Sequence, residues 1–149
     1  MDDRYDRNAS GGYVTNRTAR LFVRALERRL LHGGAGQMPV FLALIDGGAF
    51  TQTELARLAA VEQPTMANTL QRMERDGLID RTPDPDDKRS TRVSLSKLGR
   101  RRAAEAMEVA LEVNEVAFAP LTAAERKTFF DVIHRIISAL EADGKTESR

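Results

Sequence analysis

The stretch from residue 63 to residue 81 constrains this chain more than any other. Residues 63–76 carry Met66, Thr69, Leu70 and Met73 at helical spacing, which predicts a helix with one stripe turned inwards. Gly77 follows as a left-handed stop, and residues 78–81 read at once as a short strand. A helix joined to a strand through one glycine leaves little room for a different topology. Residues 82–90 then hold two prolines and three aspartates, the composition of a hairpin tip. Residues 91–95 alternate polar with apolar and supply the return strand.

Helical signals surround this unit. Residues 1–12 read as a loose tail, with Asn8-Ala9-Ser10-Gly11-Gly12 as a breaker. A helix is expected over about residues 15–31, closed by the glycines at 33, 34 and 36. No strand precedes that glycine cluster, so it reads as a loop and not as a phosphate cradle. Residues 39–45 form a short, apolar, buried helix. The next helix starts at Thr51, where Thr51 and Glu54 have capping-box spacing. A turn at residues 60–62 leads to Pro64, suited to the first helical position. After the hairpin, Ser96 caps a long helix lasting to about residue 119. Pro120 breaks the chain, and Thr122 with Glu125 repeats the capping box. The last helix carries Phe129, Ile133, Ile136 and Leu140 on one face. The expected fold is mainly α with a small antiparallel β wing: six helices in one domain of 149 residues.

Two short helices joined by a tight turn make a helix-turn-helix, whose second helix offers its N-terminal residues to major-groove edges. Leu55, Leu58, Val61, Met66, Leu70 and Met73 can pack the pair together. Gln63, Thr65, Ala67, Asn68, Gln71 and Arg72 are then left facing outwards. Gln63 and Asn68 can pair bidentately with adenine. Thr65 and Thr69 can reach phosphate or a thymine methyl, and Arg72 suits phosphate. The net charge of +1 says nothing of nucleic acid, but its distribution does: residues 88–104 hold seven cations and no acid. Glu105, Glu108, Glu112 and Glu115 then share a helical face, which would turn away from DNA.

The hairpin is where a family resemblance becomes specific. Asp84-Pro85-Asp86-Asp87-Lys88-Arg89, Val93-Ser94-Leu95-Ser96 and Gly99 resemble the wing signature of the MarR family. Glu62-Gln63-Pro64-Thr65 and Gly77-Leu78-Ile79-Asp80-Arg81 are similar to the family pattern at matching spacing. The resemblance implies a winged helix-turn-helix lobe over residues 37–99, with dimerisation helices from residues 13–36 and 100–143. It implies that double-stranded DNA with a palindromic operator is the partner, read by Gln63, Pro64, Thr65, Asn68, Thr69 and Arg72. Lys88, Arg89 and Ser90 would reach DNA from the wing, with Arg89 in the minor groove and Asp87 facing inwards to orient it. Phe129, Ile133, Ile136 and Leu140 would join a homodimer. A small aromatic or anionic effector is implied as well, and Arg17, Arg20, Arg24 and Arg28 form a basic stripe that could hold a carboxylate. Asn68 is a departure, since the family often has arginine there; adenine replaces guanine as the expected base.

Other classes fit less well. With 42% hydrophobic and 30% charged residues the composition is that of a globular protein and not of a disordered one. Cysteine is absent, which excludes disulfides and thiolate metal sites. His32 and His134 lack metal-ligand spacing, and no nucleophile elbow or phosphate loop occurs, so no enzyme, metal or cofactor is expected. A calcium loop over the wing fails, with Arg89 where glycine belongs and Leu95 where glutamate belongs. No apolar run is long enough for a membrane span, and a cytoplasmic protein is expected. The alternative is a winged-helix module for protein partners with no DNA target, since residues 62–92 hold six cations against seven acids.

Overall fold

The computed structural model describes residues 6–147. The elements run α1 (Gly11–Glu27), a short 3-10 turn (Ala35–Gln37), α2 (Met38–Leu44), β1 (Phe50–Thr51), α3 (Gln52–Ala59) and α4 (Gln63–Arg75). They continue with β2 (Ile79–Pro83), β3 (Thr91–Leu95), α5 (Lys97–Phe118) and α6 (Ala123–Glu147). The six expected helices and the antiparallel hairpin are present. The chain divides into two compact units, the first ending at Val113 and the second starting at Asn114.

The core belongs to the first unit. Leu44, Leu55, Leu70, Met73, Val40 and Val93 are its largest fully buried side chains. Each such burial is worth roughly 1.5–3 kcal/mol relative to exposure. The helix-turn-helix pair α3 and α4 therefore packs on α2 and on the sheet through one shared cluster that includes Met38, Phe41, Ile79 and Leu95. Leu58, expected in that packing, is 54% exposed. The eight-residue α3 turns Leu55 and Ala56 inwards and carries Leu58 to its open side. The turn between the helices is made by Ala60, which takes a left-handed conformation at φ 50°.

The sheet has a strand that periodicity did not announce. Its order is β1-β3-β2, all antiparallel, with Phe50 opposite Val93 and Thr51 opposite Arg92. On its other side β3 pairs with β2 in a register running from Ile79 opposite Leu95 to Pro83 opposite Thr91. Thr51 ends β1 and caps α3 in the same step, in a full capping box with Glu54. Gly77 takes φ 70°, closing α4 and turning the chain into β2. The Ser96 hydroxyl donates to the Gly77 carbonyl at 2.6 Å and accepts the Gly99 N–H at 2.9 Å, so one side chain ties the start of α5 to that turn.

At the N-terminal end α1 begins at Gly11, inside the stretch read as a loose tail. Ser10 caps the helix by accepting the Tyr13 N–H, which offsets the poor helix propensity of two glycines. Residues 1–5 of the expected tail lie outside the described residues. In the second unit Thr122 and Glu125 form the expected capping box at the start of α6. Phe118, Phe129 and Phe130 cluster there with ring centroids 5.3 Å apart, and the Arg126 guanidinium lies 5.2 Å from the Phe118 centroid.

Candidate nucleic-acid interface

Helix α4 presents a polar, solvent-facing N-terminal half. Gln63, Pro64, Thr65, Asn68, Gln71 and Arg72 are exposed, while Met66, Leu70 and Met73 anchor the opposite side. The helix starts at Gln63 with Glu62 as its cap, one residue before the position expected for Pro64. The Glu62 side chain makes no capping hydrogen bond, so the first turn is left open to an acceptor from outside the chain. Gln63 is held from a neighbouring helix: its Oε1 accepts from Gln52 Nε2 at 3.2 Å. Arg72 Nε donates to the Asn68 carbonyl at 3.3 Å, laying its guanidinium along the same face. Thr69, expected to touch DNA, points the other way. It is buried and its hydroxyl donates to the Thr65 carbonyl at 3.0 Å, because it sits on the stripe with Met66 and Met73.

The wing tip is a tight turn built from its own backbone and carboxylates. The Ser90 N–H donates to the Asp87 carbonyl at 2.9 Å, and the Asp84 N–H donates to the Ser90 carbonyl at 3.0 Å. Lys88 and Arg89 stand exposed at this tip, and neither joins an ion pair among the described residues. Ser90, beside them, is half-buried. Asp87 does not face inwards. It is exposed, and its Oδ1 accepts the Arg89 backbone N–H at 2.9 Å. It shapes the turn that carries Arg89 instead of gripping the guanidinium.

The inward acid is Asp84. It is buried, its Oδ1 accepts the Asp86 N–H at 3.0 Å, and Arg92 Nε lies 3.3 Å away as an ion pair without good hydrogen-bond alignment. The Asp86 N–H and then the Arg92 guanidinium hold the Asp84 carboxyl below its usual range. Arg92 is the residue that sequence reasoning missed, since it entered only as one cation among seven. Its signal was faint: a long cation at a polar position of the return strand, just past a tip rich in acids.

A cavity of about 510 Å³ lies within the first unit, beyond the end of α1. Arg29, His32, Gln37, Phe41, Arg102 and Glu108 are among its lining residues. The basic stripe of Arg17, Arg20, Arg24 and Arg28 is exposed and does not line it. Arg29 Nη1 donates to the Ala25 carbonyl at 3.1 Å, and Arg102 Nη1 to Glu105 Oε2 at 3.2 Å. Among the described residues no three His, Cys, Asp or Glu side chains gather as a metal-holding group. No described helix is long and apolar enough to cross a membrane.

This geometry can be set beside known proteins. A family model described as MarR family matches residues 33–90, from the glycine loop to the wing tip. The HTH-type transcriptional repressor NicR of Pseudomonas putida is 29% identical over 108 residues, 72% of this chain and 68% of that protein. The transcriptional regulator HosA of Escherichia coli O111:H- is 31% identical over 103 residues, 69% of this chain and 76% of that protein. Among solved structures, the PcaV transcriptional regulator from Streptomyces coelicolor, crystallised with its natural ligand, superposes with a TM-score of 0.81. It is 26% identical, and the match covers 91% of this chain and 97% of that one.

Proposed function

This chain belongs to the MarR family, and from that premise we propose that it is a repressor which binds a palindromic DNA operator as a homodimer. A small aromatic or anionic molecule releases it. One observation carries the reading: the exposed polar face of α4 and the unpaired cations Lys88 and Arg89 belong to one compact unit of helix pair and winged sheet. The α4 face suits the major groove, and a narrow hairpin tip suits the minor groove. Gln63, Pro64, Thr65, Asn68 and Arg72 read the site on this proposal, with Lys88, Arg89 and Ser90 from the wing. The open first turn of α4 adds backbone N–H groups for a phosphate.

The effector reading is supported by the cavity near α1. Its volume of about 510 Å³ suits a small molecule, Phe41 offers an aromatic wall, and Arg29 offers a cation, while Arg102 is paired with Glu105 and Asp76, Glu108 and Glu112 also line it. The names of NicR as a repressor and of PcaV as a regulator holding its natural ligand agree with such control. Selection of duplexes from a random library, followed by anisotropy titrations at several salt concentrations, tests the proposal. An enriched inverted repeat bound with a steep salt slope is expected, and an aromatic acid series should weaken the complex. A flat salt dependence with no enriched repeat would sink the DNA reading and leave a module for protein partners.

A further inference from the structure

One guanidinium bridges the wing tip and the segment that leads into the helix pair. Arg92 sits on β3, the middle strand, opposite Thr82 on one side and Thr51 on the other. Towards the wing, its Nε lies 3.3 Å from Asp84 Oδ1 and its Nη2 lies 3.9 Å from Asp86 Oδ2. Away from the wing, its Nη1 donates to the Ala49 carbonyl at 3.2 Å. Ala49 immediately precedes β1, and β1 ends in the residue that caps α3. Three nitrogens of one planar group therefore engage three partners. The contacts run from the wing tip through Asp84 and Arg92 to the start of the helix pair.

Of the three tip aspartates, Asp84 alone is buried, and its side chain is only 6% exposed against 87% for Asp86. A buried carboxylate is costly unless paired, so the tip has one low-energy placement, the one in which Asp84 meets Arg92. Lysine could neutralise the acid but could not span both sides, because it lacks the rigid fork. Resting on the DNA-binding role proposed above, we propose that Arg92 is a positioning residue for DNA recognition. It makes no base contact. It holds the tip that carries Lys88 and Arg89 at a fixed distance from α4, so that the ordering of the wing precedes binding.

The test is a double-mutant cycle between Arg92 and Arg89, which share no direct contact, on the duplex selected from the library. Arg92→Met and Arg89→Ala should each weaken binding about tenfold, and the double variant should be scarcely weaker than either alone. Losses that multiply, or wild-type affinity for Arg92→Met, would overturn the role. Arg92→Lys should resemble Arg92→Met in binding while staying close to wild type in melting temperature. Should Arg92→Met prove too unstable to assay, Arg92→Lys completes the same cycle. Adding Asp84→Leu to Arg92→Met removes the stranded acid and should restore stability but not affinity; restored affinity would make the pair merely structural. Amide exchange at Ser90 in the DNA-free protein should quicken in Arg92→Met, and unchanged exchange would also count against the clamp. If the wild-type chain binds no duplex, the DNA reading falls and the role of Arg92 falls with it, whereas the exchange result still reports whether Arg92 holds the tip.

Discussion

Asn68 is the residue on which base choice turns in this reading. It is exposed one turn into α4, and its carboxamide is free to pair with an adenine edge while its carbonyl is already engaged by Arg72. Asn68→Ala should cost about 1–3 kcal/mol on the selected duplex, relax one base position, and leave random DNA nearly unaffected. Equal losses on both would assign Asn68 to the backbone. A different set of residues governs acid stability. The Asp84 carboxyl is lowered by the Asp86 N–H and Arg92, Glu54 by the Thr51 N–H, and Glu125 by the Thr122 N–H. Folded values below the unfolded ones mean that these groups stabilise the fold fully above the unfolded carboxylate range of about 4. That contribution is lost as pH falls through the lower, folded values. The melting temperature should therefore be level near neutrality and decline below about pH 4, and Asp84→Asn should both lower the plateau and shallow the decline. An unaltered decline in Asp84→Asn would show that other carboxylates set the acid limit.

The junction between α4, β2 and α5 is the element on which the reading unit depends. A methyl group added at Gly99 would sit 1.8 Å from the Leu78 carbonyl oxygen, a backbone atom that also accepts the Ser96 N–H. Neither strand nor helix can move aside without breaking the Ser96 bridge to Gly77. Gly99→Ala should consequently destabilise by about 3 kcal/mol or more, well beyond Gly77→Ala, whose cost is the left-handed backbone of about 1–2 kcal/mol. Chemical denaturation of the two variants checks the order, and a Gly99→Ala variant as stable as wild type would show that α5 need not approach β2 so closely. This junction was legible in the sequence because each part has a local cause: a helical stripe, a glycine stop, an alternating strand, a serine cap. Both capping boxes were legible for the same reason. Strand β1 was not, since two residues carry no period and Phe50 and Thr51 become a strand only by pairing with β3. Nor could sequence choose among the three tip acids. Asp84, Asp86 and Asp87 are alike in composition, and only the partner across the sheet decides that Asp84 turns inwards. Thr69 shows the converse: the helical stripe alone already placed it inside, and a polar side chain invited a second reading that the packing does not support.

At the scale of the molecule, each unit leaves apolar surface that it does not cover by itself. In the second unit Phe129 is 39% exposed, Ile136 48% and Leu140 68%, and Ile133 is half-buried beside them. In the first unit Tyr13, Val14, Leu21 and Val23 stand exposed along α1. No residue of α1 is buried, and Arg17, Arg20 and Arg24 recur along one side of it. The α6 side chains recur on one helical face, and a continuous apolar face left open to water marks association. A helix-turn-helix also covers only a short site, so a two-fold copy would match it to an inverted repeat one helical turn apart. These needs meet in one expectation: a homodimer built from α1 with α5 and α6. Sedimentation at micromolar concentration should give a mass near twice the 16.6 kDa chain, and the melting temperature should rise with protein concentration. Ile136→Glu, placing a charge on the apolar face of α6, should shift the equilibrium to monomer and weaken binding to the full repeat. Binding to a single half-site should change far less, because α4 and the wing belong to the first unit and Ile136 to the second. A wild-type chain that sediments as a monomer, or an Ile136→Glu variant that still binds the full repeat as a dimer, would move the interface away from these helices.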